Sequence, residues 1–166
     1  SIIRNMIYDL YAEDLRIRDE LLAGKTRLSE ADKITLQKRS PYQKLQSSLR
    51  NTFLSELEVV PFSEDFHTVI KIFERKVIRN EAGNFELIPK TKYTPRDLIT
   101  QGSGYLQWLS IFCVLYSSGV DVLLLDEPDA HLHASLQSEL LTQLCDALNF
   151  NEDRQIFVST HSVEMI

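Results

Sequence analysis

Apolar residues recur at helical spacing through Ile7, Leu10, Tyr11, Leu15 and Ile17, and Leu21-Leu22 carry the pattern to Gly24, a natural helix stop. A second helix is expected from Ser29, where Asp32 three residues on makes a variant of the capping box. A third begins at Pro41 after Ser40, with Tyr42, Leu45, Leu49, Phe53 and Leu57 as its apolar stripe. Residues 1–57 therefore read as a helical arm.

After Leu57 the pattern changes. β-Branched and aromatic residues dominate "LEVVPF", "HTVIKIFERKVI" and "FELIPK", with a Gly-containing turn between Asn80 and Asn84. Two or three antiparallel strands are expected over 58–97. Beyond Pro95, "DLITQGSGYLQWLSIFCVLYSSG" is a Gly-rich turn opening a strongly apolar helix, followed by a strand at 120–125, a helix at 134–148 and a strand at 155–160. Strand, crossover helix and strand make a parallel unit. Val122-Leu123-Leu124-Leu125 is apolar at every position, the pattern of a parallel strand covered on both faces. The chain holds no internal repeat and no low-complexity segment. The fold class is α/β: a parallel sheet with helices, preceded by a helical arm and a small antiparallel segment.

Composition narrows the function classes. At 166 residues and 43% hydrophobic content, the chain is long enough for a real core and is not generally disordered. No run approaches the roughly 18 to 20 apolar residues of a membrane span. Ser1-Ile2-Ile3-Arg4 lacks the pattern of a secretory signal, so a cytoplasmic location and no membrane partner are the default expectations. Cys113 and Cys145 both fall in apolar helical patterns and read as reduced core thiols. Charge is uneven. From Gly102 onward Arg154 is the one basic residue against nine acids, which does not suit a nucleic-acid surface. Between Lys71 and Arg96 there are seven basic residues and three acids; this stretch can contact phosphates or serve as a solvated hairpin face.

Three short stretches carry chemistry. Asp126 and Glu127 stand at the C-terminal end of the apolar strand, where ligands bind in such sheets. Asp126 can hold a hydrated Mg²⁺ while Glu127 polarises a water for attack on a γ-phosphate, two acids being needed because the metal occupies one. In "QGSGYLQ", Gly102 and Gly104 permit close backbone approach, Ser103 offers a hydroxyl, and the following helix points its amides and positive dipole end forward. In "QIFVSTHS" an apolar strand ends at Ser159-Thr160-His161, and the histidine can hydrogen-bond a γ-phosphate oxygen and the attacking water. His131 and His133 lack neighbours at metal-ligand spacing and suit turn or interface roles.

In this order the three stretches resemble the C-terminal half of an ATP-binding-cassette type ATPase. "GSGYLQ" is similar to the family signature, "VLLLDEP" to Walker B with its catalytic glutamate, "DAHLH" to the D-loop and "STHS" to the switch histidine. The separations also fit, at 23 residues from Ser103 to Asp126 and 35 from Asp126 to His161. "DEPDAHLHASLQ" and "GSGYLQ" are closer to the SMC-like and RecF-like branch, particularly ATPases of the OLD (overcoming lysogenization defect) type, than to membrane transporters. The resemblance covers 98–166 and implies ATP and Mg²⁺ as cofactors. It assigns Glu127 and His161 to catalysis, Asp126 to the metal, and Ser103, Gly104, Gln107 and Asp129 to nucleotide contact. It further implies sites shared across a homodimer, built from the signature and D-loop of one copy, and an association with DNA or a nuclease in repair or phage defence. A non-catalytic regulatory module derived from such an ATPase is the alternative, and a transporter nucleotide-binding domain a third reading.

A phosphate loop is missing from this picture. The nearest match to G-x-x-x-x-G-K-[ST] is "DELLAGKT", where Asp19 replaces the first glycine and a charged helical stretch stands where a buried strand is required. Gly24-Lys25-Thr26 is thus read as a helix end. The expectation is that the Walker A loop, the Q-loop and the N-terminal strands belong to an N-terminal half of the same catalytic domain outside these residues, and that the chain alone lacks ATPase activity.

Overall fold

The computed structural model describes residues 2–63, 65, 68–148 and 153–165; Ser1, Ile166 and His67, which figured in the readings above, lie outside them. The chain forms two compact units, Ser1–Thr100 and Gln101–Ile166. Among the described residues no helix is long and apolar enough to cross a membrane.

The first unit opens with α1 (Ile2–Leu22), which buries Ile7, Leu10 and Ile17, while Leu15 is exposed. It ends where Ala23 and Gly24 turn to positive φ and the Lys25 amide donates to Leu22 O at 2.8 Å. Gly24-Lys25-Thr26 is therefore a helix C-terminus. α2 (Glu30–Arg39) starts in the expected capping box, with the Asp32 amide donating to Ser29 Oγ and the Ser29 amide to Asp32 Oδ2. α3 (Pro41–Phe53) is capped by Ser40 and buries Tyr42, Leu45 and Leu49. The helices are joined through Asp14, 1% exposed, whose carboxylate accepts from Arg18, Ser40 and Gln43. That number of donors compensates the burial of a charge.

Leu57 departs from the expected helical stripe. Leu54 takes the left-handed conformation (φ 50°) and ends α3, so Leu57 reaches the core from β1 (Ser55–Val59). β1 lies at the edge of an antiparallel sheet, pairing with β2 (Ile72–Arg79), which pairs in turn with β3 (Phe85–Leu87) and with a short strand missed by the pattern, β4 (Arg96–Asp97). Buried Gln46 completes the edge: its amide accepts from Leu57 N and donates to Leu57 O, both at 2.8 Å. Much of the basic character of 71–96 is used internally. Arg75 and Lys90 both donate to Glu58, and Arg79 stacks over Phe85.

The second unit consists of α4 (Ser103–Tyr116), β5 (Val122–Asp126), α5 (Ala134–Leu148) and β6 (Gln155–Ser159). β5 and β6 are parallel, in register from Val122↔Gln155 to Asp126↔Ser159. α4 buries Trp108, Leu109, Phe112 and Cys113. Burial pushes the Cys113 thiol up to about 12. Cys145, by contrast, is exposed, so the core-thiol expectation fails there: it lies off the buried stripe of Leu140, Leu144 and Ala147. Arg154 is buried and donates to Val120 O and Ser117 O, fastening the start of β6 to the loop before β5.

The expectation that β5 is covered on both faces also fails. Leu123 is 8% exposed, but Val122, Leu124 and Phe157 on the opposite face are 53, 74 and 56% exposed. The cause is the sheet itself, which holds two strands and so leaves an apolar face and both edges open.

Candidate functional site

β5 delivers Asp126 to its C-terminal end, and the chain then turns sharply. Glu127 adopts φ 44°, a left-handed conformation that non-glycine residues seldom take, while its amide still donates to Ser159 O at 2.8 Å. Two tight turns follow, closed by Ala130 N to Glu127 O and Leu132 N to Asp129 O. The Glu127 side chain is left half exposed. From the end of β6, His161 places its Nε2 3.5 Å from Glu127 Oε1, and the histidine side chain is 91% exposed. An open cavity of about 480 Å³ lies here, lined by Glu127, Asp129, Gln137, His161 and Ser162. A carboxylate and an imidazole exposed at the ends of adjacent parallel strands can bind a water and hand on its proton.

Asp126 is exposed and lines a neighbouring groove with Leu124, Phe157 and Ser159. Among the described residues no three His, Cys, Asp or Glu side chains cluster as a metal cage. The donor set fits Mg²⁺ of the kind held by one carboxylate, water and substrate phosphates, and does not fit an all-protein site.

The signature-like turn faces inward. A Cβ on Gly104 would stand 2.8 Å from His131 O, so this glycine permits close packing of α4 on the chain's own turn. Gly102 has open space around it, and Ser103 is exposed in the first turn of α4. The Gln107 amide donates to Pro128 O at 2.8 Å and to Glu127 O at 3.4 Å, supporting the turn that carries Glu127. Asp129 is 7% exposed, and its Oδ1 accepts from Thr160 Oγ1 at 2.7 Å. His131 and His133 lie on the turn, with His133 Nδ1 3.3 Å from Ser135 Oγ. The structure thus brings Glu127, His161, Gln107 and Asp129 around one turn, with Asp126 beside it and Ser103 at the start of α4.

Sequence reasoning missed Gln137, Thr160 and Ser162. Thr160 and Ser162 flank His161 within the "STHS" stretch, and Gln137 stands in the first turn of the helix that follows "DAHLH".

Residues 3–166 match the family model described as "AAA domain, putative AbiEii toxin, Type IV TA system". No curated protein matches the chain. Six solved chains match. One of them comes from "Structural biochemistry of ATP-driven dimerization and DNA stimulated activation of SMC ATPases", with a TM-score of 0.52 and 10% sequence identity, covering 81% of this chain and 74% of that one. The likeness shows that the α/β fold, with its parallel and antiparallel sheets, is similar to that of an SMC ATPase.

Proposed function

The chain belongs to this AAA domain family, a nucleotide-binding ATPase module, and from that premise we propose that it carries the hydrolytic residues of a Mg-ATP site of the SMC-like and OLD-like branch. The observation that carries this reading is the approach of Glu127 and His161 at the C-terminal ends of two parallel strands. Glu127 accepts a hydrogen bond from water and takes its proton as the water oxygen attacks the terminal phosphorus and the bond to the bridging oxygen breaks. His161 donates through Nε2 to a γ-phosphate oxygen, where negative charge accumulates. Asp126 is the hard oxygen ligand for Mg²⁺, which when bound neutralises phosphate charge.

The phosphate cradle comes from elsewhere, since Gly24-Lys25-Thr26 ends a helix. The open apolar face and edges of the β5–β6 sheet support addition of further strands carrying that loop. Ser103, exposed at the start of α4, is the nucleotide contact offered to a second copy, consistent with the ATP-driven dimerisation for which the SMC relatives are described. Gly104, Gln107 and Asp129 act on the same site by shaping its turn. DNA or a nuclease is the proposed downstream partner.

The test is Glu127→Gln in the complete protein. Nucleotide binding should persist, because Asp126 is untouched, while turnover falls by roughly 10² to 10⁴. Unchanged turnover would remove Glu127 from the base role. A second reading, a non-catalytic module, is favoured by the lack of a phosphate loop among the described residues; it predicts no hydrolysis by the complete protein.

A further inference from the structure

We propose that Gln137 is a positioning residue for this site, tying the turn that follows Glu127 to the loop that carries His161. The inference rests on the ATPase reading above. Gln137 lies in the first turns of α5, and its single amide spans two segments. Nε2 donates to Leu132 O at 3.0 Å and to Asp129 O at 3.3 Å, both on the turn. Oε1 accepts from Ser162 Oγ at 2.6 Å, one residue beyond His161. A side chain with both donors and an acceptor is required, which an amide supplies and a carboxylate or thioether does not.

A second tie lies on the other side of the histidine. Thr160 Oγ1 donates to the buried Asp129 carboxylate and accepts from the Ser162 amide at 3.0 Å. The loop is therefore fastened on both flanks to the 129–132 turn. His161 between them is 91% exposed and gains little placement from its own packing. Where its ring stands relative to Glu127 is set by its neighbours, and Gln137 holds the Ser162 flank beside the Met165 amide, which donates to Ser162 O at 3.3 Å.

The experiment compares Gln137→Met, Ser162→Ala and the double variant, with Gln143→Met as a control on the same helix, where the Gln143 amide donates to Glu139. In the 166-residue chain, the His161 imidazole resonance is followed by NMR, together with amide exchange at 160–162. Gln137→Met and Ser162→Ala should each shift that resonance and speed exchange, the double variant should add little because both singles break the same bond, and the control should leave both unchanged. In the complete protein, kcat for Mg-ATP should fall roughly ten- to a hundredfold with KM for ATP unaltered, since the loss is of orientation and not of substrate contact. Ser162→Ala removes one hydroxyl and keeps the test usable if Gln137→Met folds poorly. An unmoved His161 resonance in both single variants overturns the proposal, as does a fall in kcat accompanied by a rise in KM and a drop in melting temperature, which marks a packing role. If the wild-type complete protein hydrolyses no ATP, the ATPase reading fails while the resonance arm still decides the tie.

Discussion

Gly104 and Glu127 both occupy backbone positions that restrict what can replace them. Gly104 has an ordinary φ, so its constraint is space: a methyl group would meet His131 O at 2.8 Å, and a backbone carbonyl cannot rotate away as a side chain can. Gly104→Ala should therefore destabilise by about 1–3 kcal/mol, the usual range for overpacking. Because the carbonyl that must move belongs to the turn after Glu127, turnover of the complete protein should fall as well. Unchanged thermal unfolding and unchanged turnover would show that α4 can back away freely. Glu127 instead pays for its left-handed φ, of order 1–3 kcal/mol, and is held there by its amide bond to Ser159 O and by Gln107 on its carbonyl. The sequence displayed Gly104 as a residue for close approach, but what approaches is the chain's own turn.

Among the elements, the start of α2 was legible to the residue, because Ser29 and Asp32 satisfy the orphan amides of a helix start wherever that helix packs. β1 was not. Leu57 continues a helical stripe in one dimension, and only the left-handed Leu54 and the Gln46 amide, far from it in sequence, commit it to a strand edge. The brace across β1 and β2 makes a pH prediction. Lys90, and then Arg75, hold the Glu58 carboxyl below its ordinary value of 4.5. A depressed pKa contributes stability that is present above the unfolded value and is lost as pH falls through the folded one. Chemical denaturation should therefore show Glu58→Gln destabilising the chain at pH 7 and having a smaller effect at pH 3. An equal effect at both values would mean that the brace does not depend on charge.

At the scale of the whole molecule, the proposed hydrolytic residues stand without a phosphate cradle among the described residues. Asp126, Glu127 and His161 stand at strand ends, yet among the described residues neither Gly24-Lys25-Thr26 nor the glycine-rich turn before α4 joins a buried strand to a helix with a phosphate-binding lysine. The chain by itself should show no measurable ATPase and at most weak Mg-ATP binding, because the amides and lysine that hold those phosphates are lacking. Saturable micromolar binding by calorimetry would point to an unrecognised cradle, Gly24-Lys25-Thr26 included.

Local chemistry was decided by the sequence alone: the helix starts at Ser29 and Ser40, the alternation of strands and helices after Pro95, and the placement of Asp126, Glu127 and His161 at strand ends. Each depends on residues a few positions apart, and a one-dimensional pattern contains that information. The tertiary structure decided what those residues face. It turned Gly104 and Gln107 onto their own chain, buried Asp129 against Thr160, exposed Leu124 and Phe157 where both-sided cover was expected, and recruited Gln137 and Ser162 to hold His161. These contacts join residues distant along the chain, and a polar side chain reveals its partner only when folding brings a complementary group within about 3 Å.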